Sequence, residues 1–271
     1  MVSRAPLSPG GDTPPTRLHV DDTDFERVCV RRSGVAVYRG ETGYLRIGSR
    51  LEPELAVHRL MLERDYPVPR ILHVGRHDGV LYVIEESLGS QTLGDRFAAE
   101  QRADGRISDE GFSLFLAVAE RYATAQSASA RPAATLGEAP MAVVHPDLHA
   151  FNMCRGGVID VEGADWGQAG SDVATAPFVP ALCGLTGPDS PWFDAGQISK
   201  YLAMVDGVFG DQGLPPPTDR LDELLVRRAI SVCAKQHPNP AVRAARLRVL
   251  RAVVDTFLSG GGVRALLQGG G

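Results

Sequence analysis

His145-Pro146-Asp147-Leu148-His149-Ala150-Phe151-Asn152-Met153, followed by Val158-Ile159-Asp160, is the stretch on which the reading of this chain turns. It sets an Asp, an Asn five residues later, and a second Asp behind a short apolar strand. Phosphoryl transfer from a nucleotide needs such a set. One carboxylate orients the attacking hydroxyl, while an amide and another carboxylate hold the metal ions that bridge the phosphates. A chance run of polar loop residues is the competing reading, and the pattern on either side speaks against it.

Outward from this stretch, residues 152–155 and 158–161 read as a hairpin around Gly156-Gly157. Upstream, residues 28–47 read as short strands punctuated by Ser33-Gly34 and by the glycines at 40 and 43. Pro53 fits the first turn of a helix running to about residue 65, with Val57, Leu60 and Met61 on one face. Pro67-Val68-Pro69 stops it, and strands over 70–74 and 80–86 flank an Asp78-Gly79 turn. Beyond Leu88-Gly89-Ser90 helices dominate. Residues 109–130 carry Phe112, Phe115, Leu116, Ala119 and Tyr122 at helical spacing, and further helices are expected over about 193–209, 219–235 and 240–258.

Composition narrows the possibilities. The 271 residues can bury a large core around two lobes, and 44% hydrophobic with 23% charged residues is ordinary for a soluble globular protein. A formal net charge of −5 argues against non-specific nucleic-acid binding. Cys29, Cys154, Cys183 and Cys233 are scattered without a CxxC pair, so no zinc site or disulfide framework is expected. No apolar run reaches membrane-spanning length and the start has no signal-peptide pattern, so the expected compartment is the cytoplasm.

The 145–152 segment and Ile159-Asp160-Val161 resemble the signature of the aminoglycoside phosphotransferase and choline kinase-like branch of the protein-kinase-like fold, approximately His-Gly-Asp-Leu-His-x-x-Asn followed by Ile-Asp-Trp. The resemblance extends over roughly residues 30–180, including Tyr44-Leu45-Arg46-Ile47 and Gly170-Ser171-Asp172-Val173-Ala174. It implies an α+β two-lobe fold with a small N-terminal antiparallel-sheet lobe and a larger helical C-terminal lobe. The expected domains are a flexible arm over 1–20, a nucleotide-binding lobe over 21–88, a helical lobe with the catalytic loop over 89–260, and a flexible tail over 261–271. Residue by residue, the resemblance makes Asp147 the group that takes or steers the acceptor proton. It makes Asn152 and Asp160 ligands of Mg²⁺, with ATP (or GTP) as the donor. His145 then braces the loop and Asp172 stabilises the local fold. His149 is either a substrate or phosphate contact or a hydrogen-bonded loop histidine.

The small lobe departs from kinases in one respect, the strand lysine that pairs the phosphates and a helix glutamate. The only lysines are Lys200 and Lys235, both far too late, and Arg46 occupies the matching place, with Glu54 as its best partner and Glu52 second. A guanidinium keeps the charge but replaces a point-like ammonium with a planar fork. The competing reading of Arg46 is a solvated strand residue. Residues 83–88 are expected to form the hinge, with backbone near Glu86 and Leu88 bonding adenine and Ile84 and Ile159 as apolar walls. No Gly-Lys-Ser/Thr exists, which removes a Walker A loop.

The acceptor is less legible. Residues 165–225 hold nine Asp/Glu, either an acidic pocket for a cationic acceptor or a solvated face. Residues 226–271 are arginine-rich, and Val242, Ala245, Val249, Val253 and Phe257 form a stripe that either docks on its own core or receives a protein partner. Three functions follow. The first is a kinase of a small hydroxylated molecule such as an aminoglycoside-like antibiotic or metabolite. The second is a Ser/Thr kinase of a precursor peptide in natural-product (lanthipeptide- or thioamitide-type) maturation, working with a separate lyase. The third is a nucleotide- or peptide-binding pseudokinase.

Overall fold

The computed structural model describes residues 14–31, 33–132, 139–184, 193–235 and 237–268. Strands β1 (Arg17–Val20), β2 (Thr23–Val30), β3 (Ala36–Arg39) and β4 (Gly43–Ile47) precede helix α1 (Leu51–Leu62), and β5 (Ile71–His77) and β6 (Val80–Glu86) follow it. They make one six-stranded antiparallel sheet in the order β1-β2-β3-β4-β6-β5. Asp78 and Gly79 both have positive φ (50° and 81°), which matches the twist of a two-residue hairpin.

The flexible arm expected over 1–20 is corrected at its end. Residues 1–13 lie outside the described residues, but Arg17–Val20 is a strand with Leu18 and Val20 buried. It folds back on β2 through Asp21 and Asp22, both in the left-handed region. The neighbouring Pro/Gly/Ser-rich composition concealed a period-two alternation only four residues long.

The helical lobe contains α2 (Leu93–Asp104), α3 (Asp109–Ala128), β7 (Met141–Val144), β8 (Met153–Cys154), β9 (Gly157–Val158), β10 (Asp165–Gln168), α4 (Ser171–Thr175), α5 (Val179–Leu182), α6 (Ala195–Asp211), α7 (Leu221–Ala234), α8 (Pro240–Leu258) and α9 (Val263–Gln268). Helix α2 was not anticipated, although Thr92 caps it by accepting from Asp95 N at 3.1 Å. The three late helices lie where periodicity put them. The tail expected over 261–271 is corrected too, because α9 occupies most of it and buries Val263. The hairpin after the catalytic loop pairs Cys154 with Gly157, so its turn is Arg155-Gly156, one residue earlier than expected. Among the described residues no helix is long and apolar enough to cross a membrane.

Two backbone ties fix that hairpin against the junction of the lobes. Val158 N donates to Pro67 O at 2.7 Å and Gly156 N to Leu88 O at 3.0 Å. Gly157 is required there: at φ +156° a Cβ would lie 2.0 Å from Pro67 O. The large core beneath is built from α3, α6 and α7, with Phe115 stacked on Phe193 and Tyr201. The hairpin and catalytic loop are thus held on a rigid base at the mouth between the lobes.

Candidate active site

The loop that carries Asp147 and Asn152 hangs from a buried carboxylate. Asp172 Oδ2 accepts from His145 N and Tyr122 Oη, both at 2.7 Å, while Oδ1 accepts from Gln126 Nε2 and Val173 N at 2.9 Å. His145, fully buried, receives Asp147 N on Nδ1 at 3.0 Å, which leaves Nε2 to donate to Ile159 O at 3.1 Å. Asn152 Nδ2 donates to Asp147 O, and Ile159 N donates to Asn152 O, each at 2.9 Å. A closed circuit of hydrogen bonds therefore gathers Asp147, Asn152 and Asp160, which the sequence separates by up to thirteen positions.

Burial holds the His145 pKa below its usual value, so the ring is neutral. In the unfolded chain the same ring takes a proton below about pH 6.5. The unfolded state then binds more protons, and the stabilisation His145 provides is lost as pH falls through that value. The stability gap between wild type and His145→Gln should therefore shrink between pH 8 and pH 5 in denaturant titrations. A gap that does not change with pH would contradict a neutral buried ring.

Asp147 Oδ1 faces a cationic wall that sequence reading missed. Lys235 Nζ lies 2.8 Å away, His149 Nε2 3.5 Å and Arg228 Nη2 3.9 Å. Burial pushes the carboxyl upward, but hydrogen bonds from His149 and Lys235 outweigh it and hold the pKa well below the carboxylate range. Arg228, on α7, also donates to Pro146 O and to Leu148 O, clamping the loop backbone. No local pattern ties a lysine at 235 or an arginine at 228 to an aspartate more than eighty residues earlier.

Asp160 adopts φ +61°, an uncommon conformation that aspartate tolerates better than most residues. Its Oδ1 is buried without an aligned hydrogen-bond donor, although Arg31 Nη2 lies 2.7 Å away in ionic contact. Asn152 Nδ2 is committed to Asp147 O, which turns its amide oxygen elsewhere. These are hard oxygen donors of the kind Mg²⁺ takes, and Mg²⁺ ordinarily needs only one or two protein ligands alongside waters and phosphates. Among the described residues no group of three or more His, Cys, Asp or Glu suited to a metal occurs.

In the small lobe Arg46 is 2% exposed, which excludes a solvated strand residue. Its Nη1 donates to Glu54 Oε2 at 3.0 Å, and its Nη2 pairs with Glu85 and lies 3.2 Å from His58 Nδ1. Glu52 is exposed and takes no part. Burial raises the Glu54 pKa, with Arg46 pulling the other way, whereas for Glu85 the attraction of Arg46 overcomes burial and the pKa falls. Gly43 is needed for packing, since a Cβ there would meet Glu85 O at 1.9 Å.

Ile84 is corrected as an adenine wall. It pairs with Leu45 and lies in the cluster of Leu18, Phe25 and Tyr38, whereas Arg46 pairs with Val83 on the opposite face. Strand alternation therefore points Ile84 away from the Arg46 side. Glu86 is partly consumed as well: its N donates to Arg70 O at 3.0 Å and its carboxylate accepts from Arg70 Nε at 2.8 Å. Leu88 O accepts from Gly156, and its N–H makes no hydrogen bond among the described residues. Ile159 is half-buried, tied by backbone at both ends.

The carboxylates of 165–225 do not converge on Asp147. Asp172 is in the core, Asp194 caps α6, Asp206 bonds Thr218, Asp222 accepts from Arg264 N and Glu223 pairs with Arg220 and Arg227. Asp189 lies outside the described residues.

No protein-family model and no curated protein matches this chain. Among solved structures it is similar to a type VIII aminoglycoside-3'-phosphotransferase, with 21% identity, covering 75% of this chain and 93% of that one, at a TM-score of 0.41. A choline/ethanolamine kinase family protein from Mesorhizobium loti has 16% identity, with coverage of 91% and 92% and a TM-score of 0.47. An aminoglycoside phosphotransferase from Streptomyces rimosus, in complex with ADP and streptomycin, has 14% identity, coverage of 77% and 92% and a TM-score of 0.42. At these identities and TM-scores the likeness assigns no activity to this chain.

Proposed function

We propose that this chain is a kinase-like phosphotransferase that moves the γ-phosphoryl group of ATP to a hydroxyl group of a small molecule. The observation that carries this reading is the hydrogen-bond circuit that joins Asp147, Asn152 and, through His145, the backbone of Ile159, so that Asp160 follows directly on it. Asp147, ionised and half-exposed, receives the acceptor proton as the acceptor oxygen bonds to the γ-phosphorus and the bond to the β-phosphate breaks. Asn152 and Asp160 would hold Mg²⁺, which supplies charge neutralisation on the phosphates. The Leu88 N–H is available to the base of the nucleotide. GTP is the alternative donor.

Charge beside Asp147 bears on the acceptor. Lys235 and Arg228 stand beside it, so a neutral or acidic hydroxyl compound suits this side of the cleft better than a polycationic aminoglycoside. A peptide Ser or Thr is the second reading, favoured by the outer face of α8, where Arg248, Arg251 and Leu247 are exposed. The inner stripe of Val242, Ala245, Val249 and Val253 faces its own core. A lyase or other partner would therefore meet the arginine face.

Calorimetry of Mg²⁺-dependent ATP binding tests the reading. Wild type should bind, and Asp160→Ala should lose the Mg²⁺-dependent part of the affinity. Equal binding by both, or none by wild type, would sink the assignment and return the pseudokinase reading.

A further inference from the structure

Among the described residues two guanidinium groups, Arg46 and Arg31, stand near the proposed nucleotide site, and they differ in how their terminal nitrogens are held. Arg46 has a side chain 3% exposed and spends both terminal nitrogens on Glu54, Glu85 and His58. It ties β4 to α1 and β6, with both terminal nitrogens turned to side chains of the small lobe. Arg31 follows β2 at a tight turn, closed by Arg31 N to Val35 O at 2.9 Å and Gly34 N to Arg31 O at 3.0 Å. Its guanidinium reaches across from the small lobe. Nη2 lies 2.7 Å from Asp160 Oδ1, and Nη1 lies 3.5 Å from Glu162 Oε2 and 3.8 Å from Glu54 Oε2.

The quality of those contacts matters. Arg31 Nη1 is buried without a hydrogen-bond partner, and so is Asp160 Oδ1. The guanidinium is held where three carboxylates converge by charge, not by aligned hydrogen bonds. Carboxylates crowded in this way repel one another unless a cation sits among them. Arg31 is that cation for Asp160 and Glu162, and it shares Glu54 with Arg46. A divalent ion that takes Asp160 must displace it, and the released fork, carried on a turn, has the geometry that pairs with phosphate oxygens.

Resting on the phosphotransferase reading, we propose that Arg31, and not Arg46, is the residue that binds nucleotide phosphate in this cleft, and that it neutralises Asp160 and Glu162 until a metal ion takes its place. This moves the phosphate-binding role away from Arg46, the residue at the place of the kinase strand lysine, and it couples metal entry to release of the β2–β3 turn.

The test is calorimetry on the full chain, with ATP at saturating Mg²⁺ and separately with Mn²⁺ alone, for wild type and Arg31→Gln. Arg31→Gln should weaken ATP binding roughly tenfold or more, the usual loss for a hydrogen bond to a charged group. The same variant should bind Mn²⁺ alone more tightly than wild type, because no side chain has to leave the carboxylates. An ATP Kd within about twofold of wild type would overturn the assignment, whatever Mn²⁺ does. If Arg31→Gln fails to fold, Arg31→Lys serves, with weaker ATP binding expected and unchanged binding overturning it. A wild type that binds no ATP with Mg²⁺ defeats the phosphotransferase reading itself, whereas binding that Arg31→Gln leaves untouched defeats only the role of Arg31.

Discussion

Asp147→Ala is expected to lower phosphoryl transfer by roughly 10²–10⁴-fold, the range for a positioned general base, while leaving Mg²⁺-dependent ATP binding close to wild type. The split follows from where the side chain sits. Its carboxylate faces Lys235, His149 and Arg228, whereas the proposed metal ligands are Asn152 and Asp160, and the loop is shaped by the backbone of Asp147. Single-turnover kinetics with an acceptor carrying a free hydroxyl, set beside calorimetry, separates the two effects. A variant that keeps full activity would remove Asp147 from the reaction. Because its partners hold its pKa low, Asp147 stays ionised through the mildly acidic range, and an acid limb there must belong to another group. The linked stability runs the same way. It is present above the unfolded carboxylate value of about 3.9 and lost only as pH falls through the lower folded value. Lys235→Ala removes one of the two groups named as lowering that pKa, so burial gains weight and the titration moves up.

Asp172→Ala is expected to cost about 3 kcal/mol or more of folding stability. Asp172 is 3% exposed and satisfies four donors, from Tyr122, Gln126, His145 and Val173. Removing the carboxylate strands them in a dry core, and each buried unsatisfied donor costs about 1–3 kcal/mol. Relaxation recovers part of this sum, yet the remainder is a large share of the roughly 5–15 kcal/mol that holds a typical domain together. Chemical denaturation measures it directly, with a midpoint fall of roughly 2–4 °C per kcal/mol as the thermal counterpart. Tyr122→Phe removes one donor and should cost only about 1 kcal/mol. A loss below that for Asp172→Ala would mean that the loop does not hang from this carboxylate.

How far the chain could be read depended on the range of each interaction. Asp147, Asn152 and Asp160 were visible because a single loop and hairpin carry all three. Arg46 and Glu54 were paired in advance because a strand and the next helix put them eight positions apart, and they lie 3.0 Å apart. Ile84 was misplaced by one step of strand parity, since a buried run such as Val83-Ile84-Glu85 gives no alternation from which to choose a face. Strand β1 was lost for the opposite reason: four residues of clean alternation lay against a Pro/Gly-rich stretch.

The sequence by itself determined the two-lobe division, the catalytic loop and most of the late helices, because local periodicity, turn residues and a contiguous motif are all written within a few tens of residues. Tertiary structure alone decided which charges meet. It brought Lys235 and Arg228 to Asp147, committed Arg46 to Glu54, Glu85 and His58, and left Arg31 among the carboxylates around Asp160. Those pairings act across the cleft between elements distant in sequence. A Coulomb contact depends on distance in space, which no spacing along the chain records.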